Sequence, residues 1–538
     1  MHPAWVRWVI PSAADLIFIA LLAVLTLTAL SVRLLGDAGI GWHIRTGQII
    51  LADRAIPRVD PFSSSMHGQP WFAWEWLYDV AVGGLERVAG LNGVVVLTAV
   101  IIAGVFSWTF WLLVRRGANV LVALVLVLLA ASASMIHFFA RPHVVSWLFT
   151  VAWFYVLERS EENSLSPQPE PALQPAPQTR LLWLLPLLML VWVNVHGGFL
   201  TGFALLAIYW VCAAWRRWRP DADRFADILQ KIRAGQRARA LTVAALLCAT
   251  ATLVNPHGFR LHVHIYRYLS NRFLMDHIDE FQSPNFHYVA QKCFAGLLLL
   301  TLLALAAKRR QAGVTGPLIV LFAASSGLYA SRNIPVSSLL LVLTIGPWLA
   351  HAMEEYAGRS GWGSARPGEQ ANFLQRMTAI ELKLRGHLWP VTATVLVVWI
   401  AAPNIQLGGR TLMNTHFDAQ RFPVAAVSYL EKEHAQGPVL SLDSWGGYLI
   451  YALYPRVQVV VDDRHDFYGE QFLRSYLKMV RVEPGWQQFL EQHPAQYVLV
   501  PKESALANIL RQSAGWKEIH TDEVATSFVP NHPISPTK

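Results

Sequence analysis

Acids, imidazoles and guanidiniums recur in this chain in the short polar breaks between long uncharged runs. Asp37, His43, Asp60 and Glu75 follow the first run. His137, Arg141 and His143 fill a second break, and Asn194 and His196 a third. Asn255, His257, Glu280 and His287 come next, then Arg332 and Asn333. A carboxylate such as Asp37, placed where a helix leaves hydrocarbon, is partly desolvated, which raises its basicity. It could take a proton from a hydroxyl or amine as a general base; the plainer alternative is a charge marking a helix end. Arg141 and Arg332 offer planar forks suited to phosphate oxygens, with His143 beside them. Their plainer alternative is snorkelling at the headgroup level. His43, His196 and His257 join them as substrate-binding candidates. The same imidazoles with nearby carboxylates leave a divalent metal open as a cofactor. No closely spaced helical ligand pair marks such a site.

Ionisable groups held at one membrane surface need spanning elements to hold them. Of 538 residues, 54% are hydrophobic and 15% charged, against about 25% charged in a soluble domain. No charge occurs over 88–114, 117–140, 181–215, 311–331 or 333–353. Runs of this length predict membrane-spanning helices. About eleven spans are expected, near 15–35, 93–114, 118–136, 144–158, 181–195, 198–215, 240–255, 291–307, 313–330, 334–350 and 388–404. The first run lacks a small-residue cleavage site after it and reads as a retained helix. Asn194-Val195-His196-Gly197-Gly198 splits one long run into a hairpin. Segment 71–89 carries Glu75, Asp79, Glu86 and Arg87 and reads as an interfacial helix. Arg115-Arg116, Arg216-Arg217 with Arg219, Lys308-Arg309-Arg310 and the 351–387 loop then all lie in the cytoplasm, as basic loops should. The N-terminus is expected inside and the polar breaks outside. The net charge of +9 is thus a topology signal, and nucleic acid is not an expected partner.

Residues 161–179, rich in Pro, Glu, Gln and Ser, read as a disordered linker within a cytoplasmic segment 159–180. Residues 220–238 read as a short cytoplasmic helix. After about Ala402 the charge rises. Val439–Leu442, Val457–Val461 and Tyr497–Val500 read as buried strands, and 420–435, 467–480, 485–492 and 503–513 as helices. This predicts a small α/β domain with a partly parallel sheet. Asp462-Asp463-Arg464-His465-Asp466 follows directly on a strand, where open α/β sheets bind ligands; a solvated turn is the plainer alternative. The organisation expected is a membrane domain over 1–404, with a first outer loop 36–92, and an extracytoplasmic domain over 405–538.

Asp37 after the first span, the amphipathic stretch Gly41–Arg54, Ile56-Pro57-Arg58-Val59-Asp60-Pro61-Phe62-Ser63 and Gly68-Gln69-Pro70-Trp71 resemble the GT-C superfamily of polytopic glycosyltransferases. The likeness is to bacterial members similar to dolichyl-phosphate-mannose–protein mannosyltransferases. The chain further resembles a group of bacterial membrane proteins of this type through Trp192–Phe199, Asn255-Pro256-His257-Gly258, and Asp443–Leu449 with Val461–Arg464. The resemblance implies inverting transfer of a sugar from a polyprenyl-phosphate carrier to an extracytoplasmic glycan, lipid or protein acceptor. It implies Asp37 as base, Asp60 or Glu75 as a second carboxylate, basic residues on the phosphate, and residence in the bacterial inner membrane. The chain departs from the family pattern in two places. Ala38 and Gly39 stand where a second acid commonly lies, and Arg141-Pro142-His143 replaces an acidic second outer loop. A non-enzymatic flippase of lipid-linked saccharide would call for ionisable groups deep within spans and for internal repeats, and neither is visible. A polysaccharide ligase would use outer-loop Arg and His without Asp37.

Overall fold

The computed structural model describes residues 6–165, 179–218, 225–307, 313–360, 367–402, 405–407 and 410–531. Each of the eleven expected spans overlaps one or more helices, although 193–195 and 252–255 lie past helix ends and 403–404 lie outside the described residues. Among the described residues, six helices are long and apolar enough to cross a membrane by length and composition, and Arg180–Trp192, Thr315–Tyr329 and Leu388–Ala401 are shorter apolar helices. This is a multi-pass membrane protein.

Several boundaries differ from the sequence reading. The first span opens at Ala13, where Ser12 and Asp15 form a reciprocal capping box. It breaks at Thr28–Ala29 and resumes over Leu30–Leu34, so Asp37 follows a short second helix. The helix that begins at Trp76 runs to Arg115 but is interrupted at Gly90, whose φ of +59° no helix accommodates. The expected 220–238 helix and 240–255 span are one helix, Phe225–Ala251. The expected linker is helical as far as Leu165, and its residues 166–178 lie outside the described residues. The 351–387 stretch is largely helical, in Ile334–Ser360 and Pro367–Glu381.

The polar breaks gather at one end of the helices, and a second charged cluster occupies the other. Helix His143–Leu165 starts beside Arg141 and carries Glu158 and Glu161 ~27 Å further along. Glu158 accepts from Arg116 and from the Tyr209 hydroxyl, and Glu161 accepts from Arg216 and Thr315. Two of the basic clusters thus sit at the end remote from Asp37, tying four helices together.

In the tail, Val439–Ser441 pairs in parallel with Tyr497–Pro501, which pairs antiparallel with Ala525–Pro530, with Trp516–Thr521 at the edge. The sheet is therefore partly parallel. The stretch 457–461 is extended but joins by isolated bridges: Val459 pairs with Val439 on one side and with Ser63 of the first loop on the other. The Ser64 N–H donates to Val459 O at 2.8 Å and the Val459 N–H to Phe62 O at 3.2 Å. The sheet thus continues into the first loop. The last two strands were not anticipated: Trp516–Thr521 is half-buried to exposed without a clean alternation, and Ala525–Pro530 is buried over its first four residues with no alternation.

The tail also meets the first loop through two glycines. A Cβ on Gly41, in helix Ile40–Asp53, would lie 1.9 Å from Gly447 O, and one on Gly447, in helix Asp443–Leu453, would lie 2.0 Å from Ala38 O. Only bare backbones fit. Gly447→Ala is expected to destabilise the fold by about 1–3 kcal/mol through overpacking. A thermal-melt midpoint in detergent equal to that of the unsubstituted protein would refute this contact.

Candidate functional site

The turn after Leu30–Leu34 buries Asp37, which accepts from the Gly39 N–H at 2.9 Å. Arg141, just ahead of helix His143–Leu165, stands 3.4 Å from Asp37 and 3.2 Å from Glu280. Arg332 stands 3.7 Å from the other oxygen of Glu280, with its guanidinium over the Phe281 ring. Four chain segments thus form one row: Asp37, Arg141, Glu280, Arg332. Burial alone would raise the Glu280 carboxyl, but the two guanidiniums outweigh it and hold it well below the usual range.

Asp463 completes the Asp37 end. One oxygen of each carboxylate lies about equally close to Gly39, within 2.9 and 3.2 Å of where a Cβ would stand. The Trp42 indole donates to Asp463 at 2.9 Å. Burial first, and the Asp37 charge second, push Asp463 up to about 7. Burial likewise raises Asp37, against the pull of Arg141. Two neighbouring carboxyls, one buried and one half-buried, titrate as a pair. The five-residue polar run after a buried strand was the sequence signal for Asp463; its partner could not be read, since Trp42 and Asp463 are 421 positions apart.

A second cluster lies around Glu75, at the start of helix Trp76–Arg115. Its two oxygens are 3.8 Å from His43 Nε2 and 3.8 Å from His196 Nε2. His43 stacks on Trp42 and faces Asp79 through Nδ1 at 2.6 Å. His196 Nδ1 accepts from the Gly198 N–H at 3.0 Å and lies 2.8 Å from the Ser146 hydroxyl. Burial raises Glu75 to about 8, and burial lowers His196 to about 3 and His43 well below its ordinary value.

A cavity of about 410 Å³ is lined by part of these two clusters, with Asp37, Asp463, His43 and Glu75 set behind its lining. Arg141, His143, His196, Glu280 and Arg332 line its polar side, and Phe322, Tyr329 and Leu340 its apolar side. His143 donates from Nε2 to the His137 carbonyl at 2.7 Å.

Two sequence candidates are engaged elsewhere. Asp60 is fully buried, accepts from the Phe62 and Ser63 N–H groups and the Ser63 hydroxyl, and pairs with Arg464 at 2.8 Å. Arg464 also clasps Asp462, so Asp60 fastens the first loop to the tail. His257 lies against the Phe72 ring, 4.5 Å between centroids, outside the cavity lining. His43 and His196 share Glu75, whereas His143 and His257 face other partners, and among the described residues no group of three or more His, Cys, Asp or Glu is placed to hold a metal ion.

No protein-family model and no curated protein matches the chain. Among solved structures, the chain is similar to the oligosaccharyltransferase of Archaeoglobus fulgidus tethered to an acceptor peptide containing the NVT sequon, with a TM-score of 0.51 at 11% identity over 97% of this chain and 74% of that one. The chain has the GT-C fold. The same archaeal enzyme in complex with Zn and sulfate aligns at 11% identity over 91% of this chain and 68% of that one, with a TM-score of 0.48. The GT-C fold accounts for the helical bundle with a long first loop. At this identity it does not assign roles to individual residues.

Proposed function

We propose that this protein is a membrane glycosyltransferase that moves a sugar from a polyprenyl-phosphate carrier to an extracytoplasmic acceptor with inversion. The observation that carries this reading is the row Asp37–Arg141–Glu280–Arg332, whose last three members line a cavity with one apolar wall while Asp37 stands behind Arg141. A phosphate held by Arg141 and Arg332 would lie beside the Asp37–Asp463 pair, and its prenyl chain against the helices carrying Phe322 and Leu340. Asp37 would take the acceptor proton as the sugar–phosphate bond breaks and the guanidiniums stabilise the leaving phosphate. His143 and His196 line the same cavity, whereas the engaged Asp60 favours Asp37 as the base. We place the cavity on the outer face of a bacterial cytoplasmic membrane with the N-terminus inside, because Arg115-Arg116 and Arg216-Arg217 sit at the opposite end. The concentration of ionisable groups at helix ends speaks for an enzyme over a flippase.

The test is sugar transfer by the purified protein in detergent, using a synthetic polyprenyl-phosphate sugar and scoring products on glycan, lipid and peptide acceptors. Movement of labelled donor across proteoliposomes without product would favour a flippase. Arg332→Ala removes a guanidinium from the phosphate position and is expected to weaken donor binding by about 1.5–3 kcal/mol, roughly tenfold or more. Unchanged donor affinity would remove Arg332 from the site.

A further inference from the structure

Behind the cavity lies a chain of titratable groups that the proposed transfer does not use. Asp79 and His43 are both about 1% exposed, and their contact is 2.6 Å. The second oxygen of Asp79 is buried without a hydrogen-bond partner, as is the hydroxyl of neighbouring Tyr78. On its other side His43 faces Glu75, which faces His196, which lines the cavity. The charges acting on Glu75 from the surrounding elements are those of Arg141, Asp466, Arg332 and Asp37.

The hydrogen-bond partners set the direction of this chain. Because the Gly198 N–H points at His196 Nδ1, the neutral ring carries its proton on Nε2, towards Glu75. His43 lies between two carboxyls, one at each ring nitrogen. Burial keeps this ring neutral, so it carries one proton and can hold it on either nitrogen. A buried carboxylate with one oxygen unsatisfied is costly, so a proton belongs on Asp79 or Glu75. A proton on Asp79 places the ring hydrogen on Nε2, and a proton on Glu75 places it on Nδ1. Both arrangements have the same net charge.

We propose that Asp79, His43 and Glu75 form a proton relay that delivers a proton to the phosphate leaving the sugar, with Asp79 as its buried store and His196 fixing the orientation of Glu75. This rests on the transfer reaction proposed above. As the sugar–phosphate oxygen bond breaks, its electron pair stays on the phosphate. The Asp79 proton moves to His43 Nδ1 as the His43 Nε2 proton moves to Glu75, and the Glu75 proton passes to that oxygen, leaving both carboxyls ionised. The acceptor proton meanwhile goes to the Asp37–Asp463 pair, so protons balance, and exchange with water resets both ends. The 3.8 Å gaps on either side of Glu75 close to hydrogen bonds by shifts of under ~1 Å. Asp79 is a positioning and storage residue; Glu75, behind His196 and outside the cavity lining, is the outlet of the relay towards the phosphate.

Isotope-edited infrared spectroscopy of the whole protein in detergent tests the relay without requiring turnover. A protonated-carboxyl band is expected at neutral pH, lost with a midpoint near pH 8 as Glu75 ionises, and changed by Glu75→Gln, by Asp79→Asn and by His43→Gln. Absence of such a band, or a Glu75 titration unmoved by both Asp79→Asn and His43→Gln, overturns the relay. In the transfer assay Asp79→Asn is expected to lower kcat at least tenfold with KM little changed, and to move the alkaline limb of the pH profile. Equal kcat and an unmoved limb would also overturn it. An intact band with no transfer from any polyprenyl-phosphate donor would instead sink the reaction and the phosphate-protonation role while leaving the proton-sharing cluster in place.

Discussion

Asp37→Asn is expected to lower kcat for sugar transfer by about a hundred- to ten-thousand-fold, the range that removal of a positioned general base typically produces. Asn keeps the size of the side chain and can still accept from the Gly39 N–H, so folding and donor affinity should survive. The pH dependence follows from the partner. Asp463 is pushed up to about 7 by burial and by Asp37. A base works only when ionised, so the rate should rise as pH rises through about 7, where the pair gives up its shared proton. Asp463→Asn removes the neighbouring charge and should let Asp37 ionise at lower pH, moving the rising limb to lower pH. An Asp37→Asn variant with full activity excludes Asp37 as the base. A rising limb unmoved by Asp463→Asn would dissolve the pair.

The second large effect is on stability. Arg464 is buried with Asp60 at 2.8 Å and Asp462 at 2.7 Å, and its guanidinium lies over the Trp71 ring at 4.7 Å. Arg464→Ala strands two buried carboxyls in low dielectric. Breaking a buried pair in this way costs about 3–5 kcal/mol. The expected result is a clear fall in the melting midpoint in detergent, partly restored when Asp60→Asn and Asp462→Asn are added, since the stranded charges are then gone. Wild-type melting of Arg464→Ala would show that this clasp does not hold the tail to the first loop.

The helices were legible because the bilayer imposes a length and a charge rule that a single sequence displays directly. Asp37, Glu75, Arg141 and Arg332 were legible as polar groups where uncharged runs end, and the structure brings all four into connected clusters. Their partners were not legible. Asp463 and Asp79 each reach the site through tertiary packing, one across almost the whole chain and one from inside an apolar helix. Asp60 looked like a second catalytic acid because its position in the first loop gave no sign of Arg464. His257 stood in a conspicuous Asn-Pro-His-Gly motif, yet its ring lies against Phe72. Ring stacking leaves no trace in spacing.

The sheet that runs from the tail into residues 62–65 governs the order of biosynthesis. Ribosomes make the first loop early and its neighbouring β-segments several hundred codons later. Until then Asp60 has no guanidinium and Asp37 no companion acid, so a nascent chain at the translocon carries an unfinished pair of carboxyls. A stop codon anywhere before position 463 should therefore yield an inserted but inert polypeptide, however complete its bundle.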